Sequence, residues 1–247
     1  PPFFCCGRKK GPNRLKAIDM KIGILQTGHA PESLISEHGD YNDMFTALLG
    51  GQGFTFDTYA VVDGQMPGNV NDAQGWIITG SRHGVYEPHD WIAPLEDFVR
   101  ACFAAEIPVL GICFGHQIMA QALGGKVEKY SGGWSVGNTD YALKDGNHLK
   151  LLAWHQDQVV EPPAGAETIA RTDHCQYAAL SYGKKGLSFQ PHPEFDQAFL
   201  RGLLETRGSV LPKDIKQQAY ETVDDDLSTD KIIEMFAAFL KSGEKPA

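Results

Sequence analysis

Cys113 stands in the surroundings that most clearly suit a nucleophile: it is the centre of Gly111-x-Cys113-x-Gly115, within Pro108-Val-Leu-Gly-Ile-Cys-Phe-Gly-His-Gln-Ile-Met-Ala-Gln-Ala-Leu123. Val109–Ile112 is short, apolar and β-branched, which predicts a buried strand. Phe114, Ile118, Ala122 and Leu123 recur at helical spacing, which predicts a helix packed on that strand. A strand that turns straight into a helix needs small residues on either side of the turn. The residue at the apex is then pushed out of the sheet in a strained conformation. This is the nucleophile-elbow pattern with cysteine in place of serine. The helix N-terminus favours a thiolate there, and the thiolate is the reactive species.

Such a nucleophile needs a base within hydrogen-bond reach, and the base needs an orienting group. Nine histidines compete for the first role. His192 has the strongest claim, in Leu187-Ser-Phe-Gln-Pro-His-Pro-Glu-Phe195. A predicted strand delivers it, two prolines restrict its backbone, and Glu194 lies two residues on. In an extended segment residues two apart point the same way, so Glu194 is expected to fix the imidazole. Acyl transfer through a thioester also needs donors for the developing oxyanion. The backbone N–H of Phe114 is one candidate, by the geometry of an elbow. The loop Thr79-Gly-Ser-Arg-His-Gly84 offers the second, from Gly80 or Ser81.

The elements that must hold these groups alternate. A strand at Ile22 to Leu25 precedes a helix opening at Gly39 with Met44, Phe45, Leu48 and Leu49 on its apolar face. Strands over 55–62 and 75–79 follow, then a helix over 91–104, then the elbow. This order predicts an α/β protein of three layers, with a parallel core sheet whose reactive groups collect at the carboxyl ends of its strands. Over 126–189 short β-rich runs (127–130, 136–143, 168–171, 178–182 and 187–189) predict a largely antiparallel extension of that sheet. Helices over 196–206, 213–222 and 228–241 close the chain, and Asp224-Asp-Asp226 reads as a solvated loop.

With 247 residues, 42% hydrophobic and 21% charged, the chain can build one large core. A formal charge of −9 argues against nucleic acid or an anionic membrane as partner, and no apolar run is long enough to span a bilayer. The five cysteines (Cys5, Cys6, Cys102, Cys113 and Cys175) show neither a C-x-x-C pair nor metal-ligand spacing, so neither a metal nor a disulfide framework is expected. Scattered free thiols suit a reducing, cytoplasmic setting. Residues 1–19 are basic and rich in Pro and Gly, without a signal-peptide apolar region. They are expected to be a disordered extension or an expression remnant, with Met20 the natural start of a single domain over 20–247.

Gly-Ile-Cys113-Phe-Gly-His-Gln117, Thr79-Gly-Ser81 and Gln190-Pro-His-Pro-Glu194, in this order and spacing, resemble the class I (triad) glutamine amidotransferase domain. The resemblance runs from about Met20 to Phe195. It implies a flavodoxin-like sheet and a Cys113–His192–Glu194 triad releasing ammonia from glutamine through a γ-glutamyl thioester. It also implies that Gln117 contacts the bound glutamine and that backbone around Trp134 and Ser135 holds its α-amino and carboxylate groups. Gly39-Asp-Tyr-Asn-Asp-Met-Phe45, Val61-Val-Asp-Gly64, Ser81-Arg-His-Gly-Val-Tyr-Glu-Pro-His-Asp-Trp91 and His155-Gln-Asp-Gln-Val159 further resemble one subgroup. This comprises the stand-alone GMP-synthase-like amidotransferases and plant-type γ-glutamyl peptidases. In it His155 is either a structural turn histidine or a contact to an acceptor or product.

No Walker A pattern is present, so neither nucleotide chemistry nor any other cofactor is expected. Three readings stand. One is a self-sufficient hydrolase or transferase acting on glutamine or another γ-glutamyl amide or peptide. Another is the ammonia-supplying subunit of a separate synthase, and the third is a binding module that keeps the fold without turnover.

Overall fold

The computed structural model describes residues 19–242. A nine-stranded sheet runs through them in the order β2-β1-β3-β4-β11-β10-β9-β6-β7, where β1 is Met20–Gln26, β2 Phe54–Ala60, β3 Gly75–Ile78, β4 Val109–Ile112, β6 Ser135–Leu143, β7 His148–His155, β9 Glu167–Arg171, β10 Ala179–Ser181 and β11 Gly186–Phe189. From β2 to β11 neighbouring strands are parallel; from β11 to β7 they are antiparallel. The parallel strands are nearly continuous apolar runs, as strands covered on both faces must be. Period-two alternation then sorts them: Ile77 and Leu110 face one way, Trp76, Ile78 and Val109 the other.

Helices cover both faces. On one lie α2 (Tyr41–Leu48) and α7 (Thr229–Ser242), which bury Phe45, Ile232, Phe236, Phe239 and Leu240 against the sheet. On the other lie α3 (Ile92–Ala104) and α4 (Phe114–Ala122), with Leu95, Phe98, Ile118 and Met119 in the core. A third cluster gathers Phe195 with Phe199, Leu200, Leu203 and Leu204 of α5 (Gln197–Thr206) and Ala219 of α6 (Lys213–Thr222), over the antiparallel end. Asp196 caps α5, accepting from the amide of Phe199 at 2.7 Å, and Asp40 with Asp43 forms a capping box on α2.

The structure departs from the expected elements in several places. β11 is the junction of the two halves of the sheet, antiparallel to β10 on one side and parallel to β4 on the other. The run at 127–130 is not in the main sheet: β5 (Lys126–Lys129) pairs instead with β8 (Asp157–Glu161) in a separate two-stranded ribbon. β2 stops at Ala60, and Val61–Asp63 closes into a 3-10 turn. The 224–226 loop is exposed, as expected, and is also tied down: Asp224 pairs with Arg201, and the Asn138 side chain donates to the carbonyls of Asp225 and Asp226 at 3.1 and 3.3 Å. The expected extension over 1–19 lies outside the described residues except for Asp19. No helix among the described residues is long and apolar enough to cross a membrane.

Candidate active site

The register of β4 with β11, Val109 opposite Gly186 through Ile112 opposite Phe189, makes Cys113 and Gln190 leave the sheet side by side. Cys113 sits between β4 and α4 with φ 52° and ψ −101°, a conformation that side chains rarely adopt. Its amide donates to the Phe189 carbonyl at 2.8 Å, holding the strained turn against the neighbouring strand. The flanking glycines are required by space. A β-carbon at Gly111 would lie 2.5 Å from the Gly115 carbonyl oxygen, and one at Gly115 would lie 2.3 Å from that of Ile78. As the first residue of α4, Phe114 has an amide with no acceptor inside the helix, beside the Cys113 side chain.

His192 is brought to Cys113 by the chain that continues from β11. Its amide donates to the Leu152 carbonyl at 2.8 Å, pinning the segment to β7. Its ring stacks on Phe195 with centroids 4.1 Å apart and planes 5° from parallel. Nδ1 donates to Glu194 Oε1 at 2.8 Å, so the ring presents its other nitrogen, and it lies in hydrogen-bond reach of Cys113. All three side chains are buried: Cys113 is 6% exposed, His192 4% and Glu194 9%. Burial disfavours the imidazolium, but the Glu194 carboxylate and the Cys113 thiolate outweigh it and raise the His192 pKa to about 10.

The loop after β3 closes on this pair. A β-carbon on Gly80 would meet His192 Cε1 at 2.9 Å, so only glycine lets the loop approach so near. The Gly80 carbonyl accepts from the hydroxyls of Thr27 and Thr79 at 3.2 and 3.1 Å, and Ser81 Oγ accepts from the His83 amide at 3.1 Å.

Cys113, His192, Ser81, Gln117, Trp134 and His155 line one cleft of about 640 Å³. Gln117 donates its amide nitrogen to the Asp157 carbonyl at 2.8 Å and to Gln190 Oε1 at 3.1 Å. Trp134 packs edge-on to Trp154, and Ser135 opens β6 opposite His155. His155 ends β7 rather than sitting in a turn; burial pushes its pKa down to about 3, and its Nε2 has no hydrogen-bond partner among the described residues. Arg82, Lys129 and Arg207 bring three cations to the cleft wall, and Tyr86 reaches across it to Asp157 Oδ2 at 2.7 Å.

Two features escaped the reading of the sequence. Gln190, wholly buried, donates to Cys113 Sγ at 3.6 Å. Its spacing two residues before His192 was the available signal, since both face the same way from an extended segment. The second is His83, Glu87 and His89, whose donor atoms all lie within 4.8 Å of one another, the one group of described residues able to hold a metal ion. The set contains no cysteine, so the spacing of the cysteines carries no sign of it.

Residues 60–199 match the family model described as glutamine amidotransferase class-I. Gamma-glutamyl peptidase 2 of Arabidopsis thaliana is 29% identical over 218 residues, 82% of this chain and 88% of its own. A glutamine-hydrolysing GMP synthase of Azoarcus is 38% identical over 138 residues, 49% of this chain and 25% of its own. The crystal structure of a glutamine amidotransferase from Thermotoga maritima superposes with a TM-score of 0.73 at 19% identity, covering 90% of this chain and 97% of that one, and so speaks for the fold. With the family model matched over more than half of the chain and the β4–α4 elbow inside the matched segment, the chain belongs to the class I glutamine amidotransferase family and is an enzyme of that class.

Proposed function

We propose that the protein is a self-sufficient cysteine-dependent γ-glutamyl hydrolase or transferase. The observation that carries this reading is the strained Cys113 set against His192, whose Nδ1 is held by Glu194 at 2.8 Å. The Cys113 proton resides on His192, and the thiolate adds to the γ-carbonyl of the substrate. The resulting oxyanion is held by the Phe114 amide together with Gly80 or Ser81. As the tetrahedral species collapses, the C–N bond breaks and His192 protonates the departing ammonia or amine. A γ-glutamyl thioester on Cys113 remains. His192 then deprotonates water, or an acceptor amine, which attacks the thioester and releases glutamate or the transferred product along with the free thiol.

Arg82 and Lys129 have no ion-pair partner among the described residues, and with Arg207 they suit a substrate rich in carboxylates. Glutamine carries one carboxylate; a γ-glutamyl peptide carries a second, on its leaving group. Gln117, Trp134 and Ser135 are assigned to the glutamyl moiety. The peptidase name of the Arabidopsis relative, matched over 88% of its length, supports the same substrate class. Ammonia supply to a separate synthase is the second reading, supported by the GMP synthase match.

The test is amine release by the purified chain alone, from glutamine and a panel of γ-glutamyl amides and dipeptides, beside Cys113→Ala. Turnover without a partner, fastest on a carboxylate-bearing leaving group and absent in Cys113→Ala, is expected. Turnover appearing only on addition of a synthase would replace this reading with the second.

A further inference from the structure

We propose that His83, Glu87 and His89 form a binding site for a divalent transition-metal ion of the zinc class at the rim of the cleft. The donors are Nδ1 of His83, Nε2 of His89 and one carboxylate oxygen of Glu87. Two imidazoles and a carboxylate select Zn²⁺, Co²⁺ or Ni²⁺ over Mg²⁺ and Ca²⁺, which want oxygen ligands. Glu87 Oε2 lies 3.3 Å from His83 Nδ1 and 2.8 Å from His89 Nε2. Donors bound at about 2.0–2.1 Å around a tetrahedral ion stand roughly 3.4 Å apart. Both oxygen–nitrogen distances are thus close to that spacing, and the two nitrogens lie within 4.8 Å of each other.

The arrangement is set by the backbone rather than by chance encounter of long side chains. Glu87 N donates to the Gly84 carbonyl at 3.0 Å, His89 N to the Glu87 carbonyl at 2.9 Å, and Pro88 stiffens the step between the two ligands. The rings are held as well. His89 stacks on Trp91 at 5.7 Å and 11°, His83 meets the edge of Trp91 at 6.0 Å, and the two imidazoles sit 4.2 Å apart. Three protein ligands leave a fourth position for water or an external ligand. His83 and Glu87 both line the cleft that contains Cys113.

An ion here would act on the loop that borders the proposed chemistry. His83 is tied to Ser81 Oγ at one end, and at the other Trp91 packs on Phe114, the residue after Cys113, with centroids 5.4 Å apart. Binding would staple the two ends of the segment together. None of the three ligands belongs to the Cys113–His192–Glu194 set, so the site does not depend on how that set works.

The experiment uses the full chain carrying Cys113→Ala, which removes the one thiol among the described residues that lines the cleft. Titration with Co²⁺, followed by visible absorption, is expected to show one equivalent bound with the intense bands of a four-coordinate ion. Zn²⁺ should displace it and excess Mg²⁺ should not. His83→Ala, His89→Ala and Glu87→Gln, added singly, should each weaken binding by more than the roughly 10–100-fold that loss of an outer-shell partner costs. Circular dichroism melts report whether each variant is folded, and Glu87→Gln changes a half-exposed side chain with almost no change of shape. Absence of a stoichiometric Co²⁺ complex, displacement by Mg²⁺, or unchanged affinity in folded variants would overturn the proposal.

Discussion

Cys113 combines strain with charge. Its backbone lies at φ 52°, and its side chain faces a histidine whose pKa is raised by the Glu194 carboxylate against the cost of burial. In the proposed mechanism an imidazolium so placed favours a thiolate beside it and then supplies the proton a leaving amine needs. Replacing Glu194 with Gln removes the main charge that raises the His192 pKa. Turnover is expected to fall by about 10²-fold or more, the range attributed to general acid–base catalysis. The alkaline limb of the pH–rate profile should move to lower pH than in the wild type. An unmoved limb would show that Glu194 does not govern His192. Gln190 contributes a hydrogen bond to the sulfur. Gln190→Ala is expected to lower kcat about tenfold, the equivalent of roughly 1.4 kcal/mol, with KM little changed. The strain itself is measurable by comparing two inactive variants. Glycine ordinarily costs about 0.5–1 kcal/mol relative to alanine. At position 113 the order should reverse, with Cys113→Gly melting at or above Cys113→Ala, because only glycine is at ease at that φ.

At the scale of elements, the site is the meeting of three strand ends. β3 delivers Gly80 and Ser81, β4 delivers Cys113, and β11 delivers Gln190 and His192, all from the carboxyl edge of the parallel strands. The closeness of α4 to β3 is the condition for this, since the Gly115 amide donates to the Thr79 carbonyl at 3.2 Å. Gly115→Ala would drive a methyl into the Ile78 carbonyl and is expected to destabilise the fold by about 1–3 kcal/mol, read as a lowered denaturation midpoint. A midpoint like that of the wild type would mean the elbow is looser than drawn here. The elbow was legible in the sequence because every determinant of it is local: two glycines, an apolar strand, a periodic helix. The Pro-His-Pro-Glu segment was legible for the same reason. What the local pattern could not carry was pairing. Nothing near Lys126–Lys129 says that its partner is Asp157–Glu161, and nothing near Gly186–Phe189 says that it slots in beside Val109–Ile112. β7 escaped because the alternation of His-Leu-Lys-Leu breaks into Leu-Ala-Trp as the strand becomes more buried. The helix at Glu32–His38 has no buried residue and so no periodic face to read.

At the scale of the whole molecule, the buried histidines set the response to acid. His116, fully buried with Nδ1 2.8 Å from Ser188 Oγ, and His155, also buried, are each held by burial near a pKa of about 3, against an ordinary value of 6.5. Below about pH 6.5 the unfolded chain takes up protons that the folded protein refuses. Stability therefore falls as pH drops from there toward 3. His116→Gln should make the decline of melting temperature between pH 7 and pH 4 shallower; an identical slope would mean that His116 is protonated without unfolding. The same fold buries Cys102 and Cys175, with burial pushing the pKa of each thiol up to about 12, and leaves Cys113 as the cysteine that faces the cleft among the described residues. That contrast makes the central claim directly testable. The chain is mixed with a γ-glutamyl dipeptide, quenched in acid within the first turnovers, digested and weighed by mass spectrometry. The expected result is one glutamyl group in thioester linkage on the peptide containing Cys113, and none in Cys113→Ala. Amine release at the wild-type rate with no acylated Cys113, or release that survives in Cys113→Ala, would contradict the thioester mechanism.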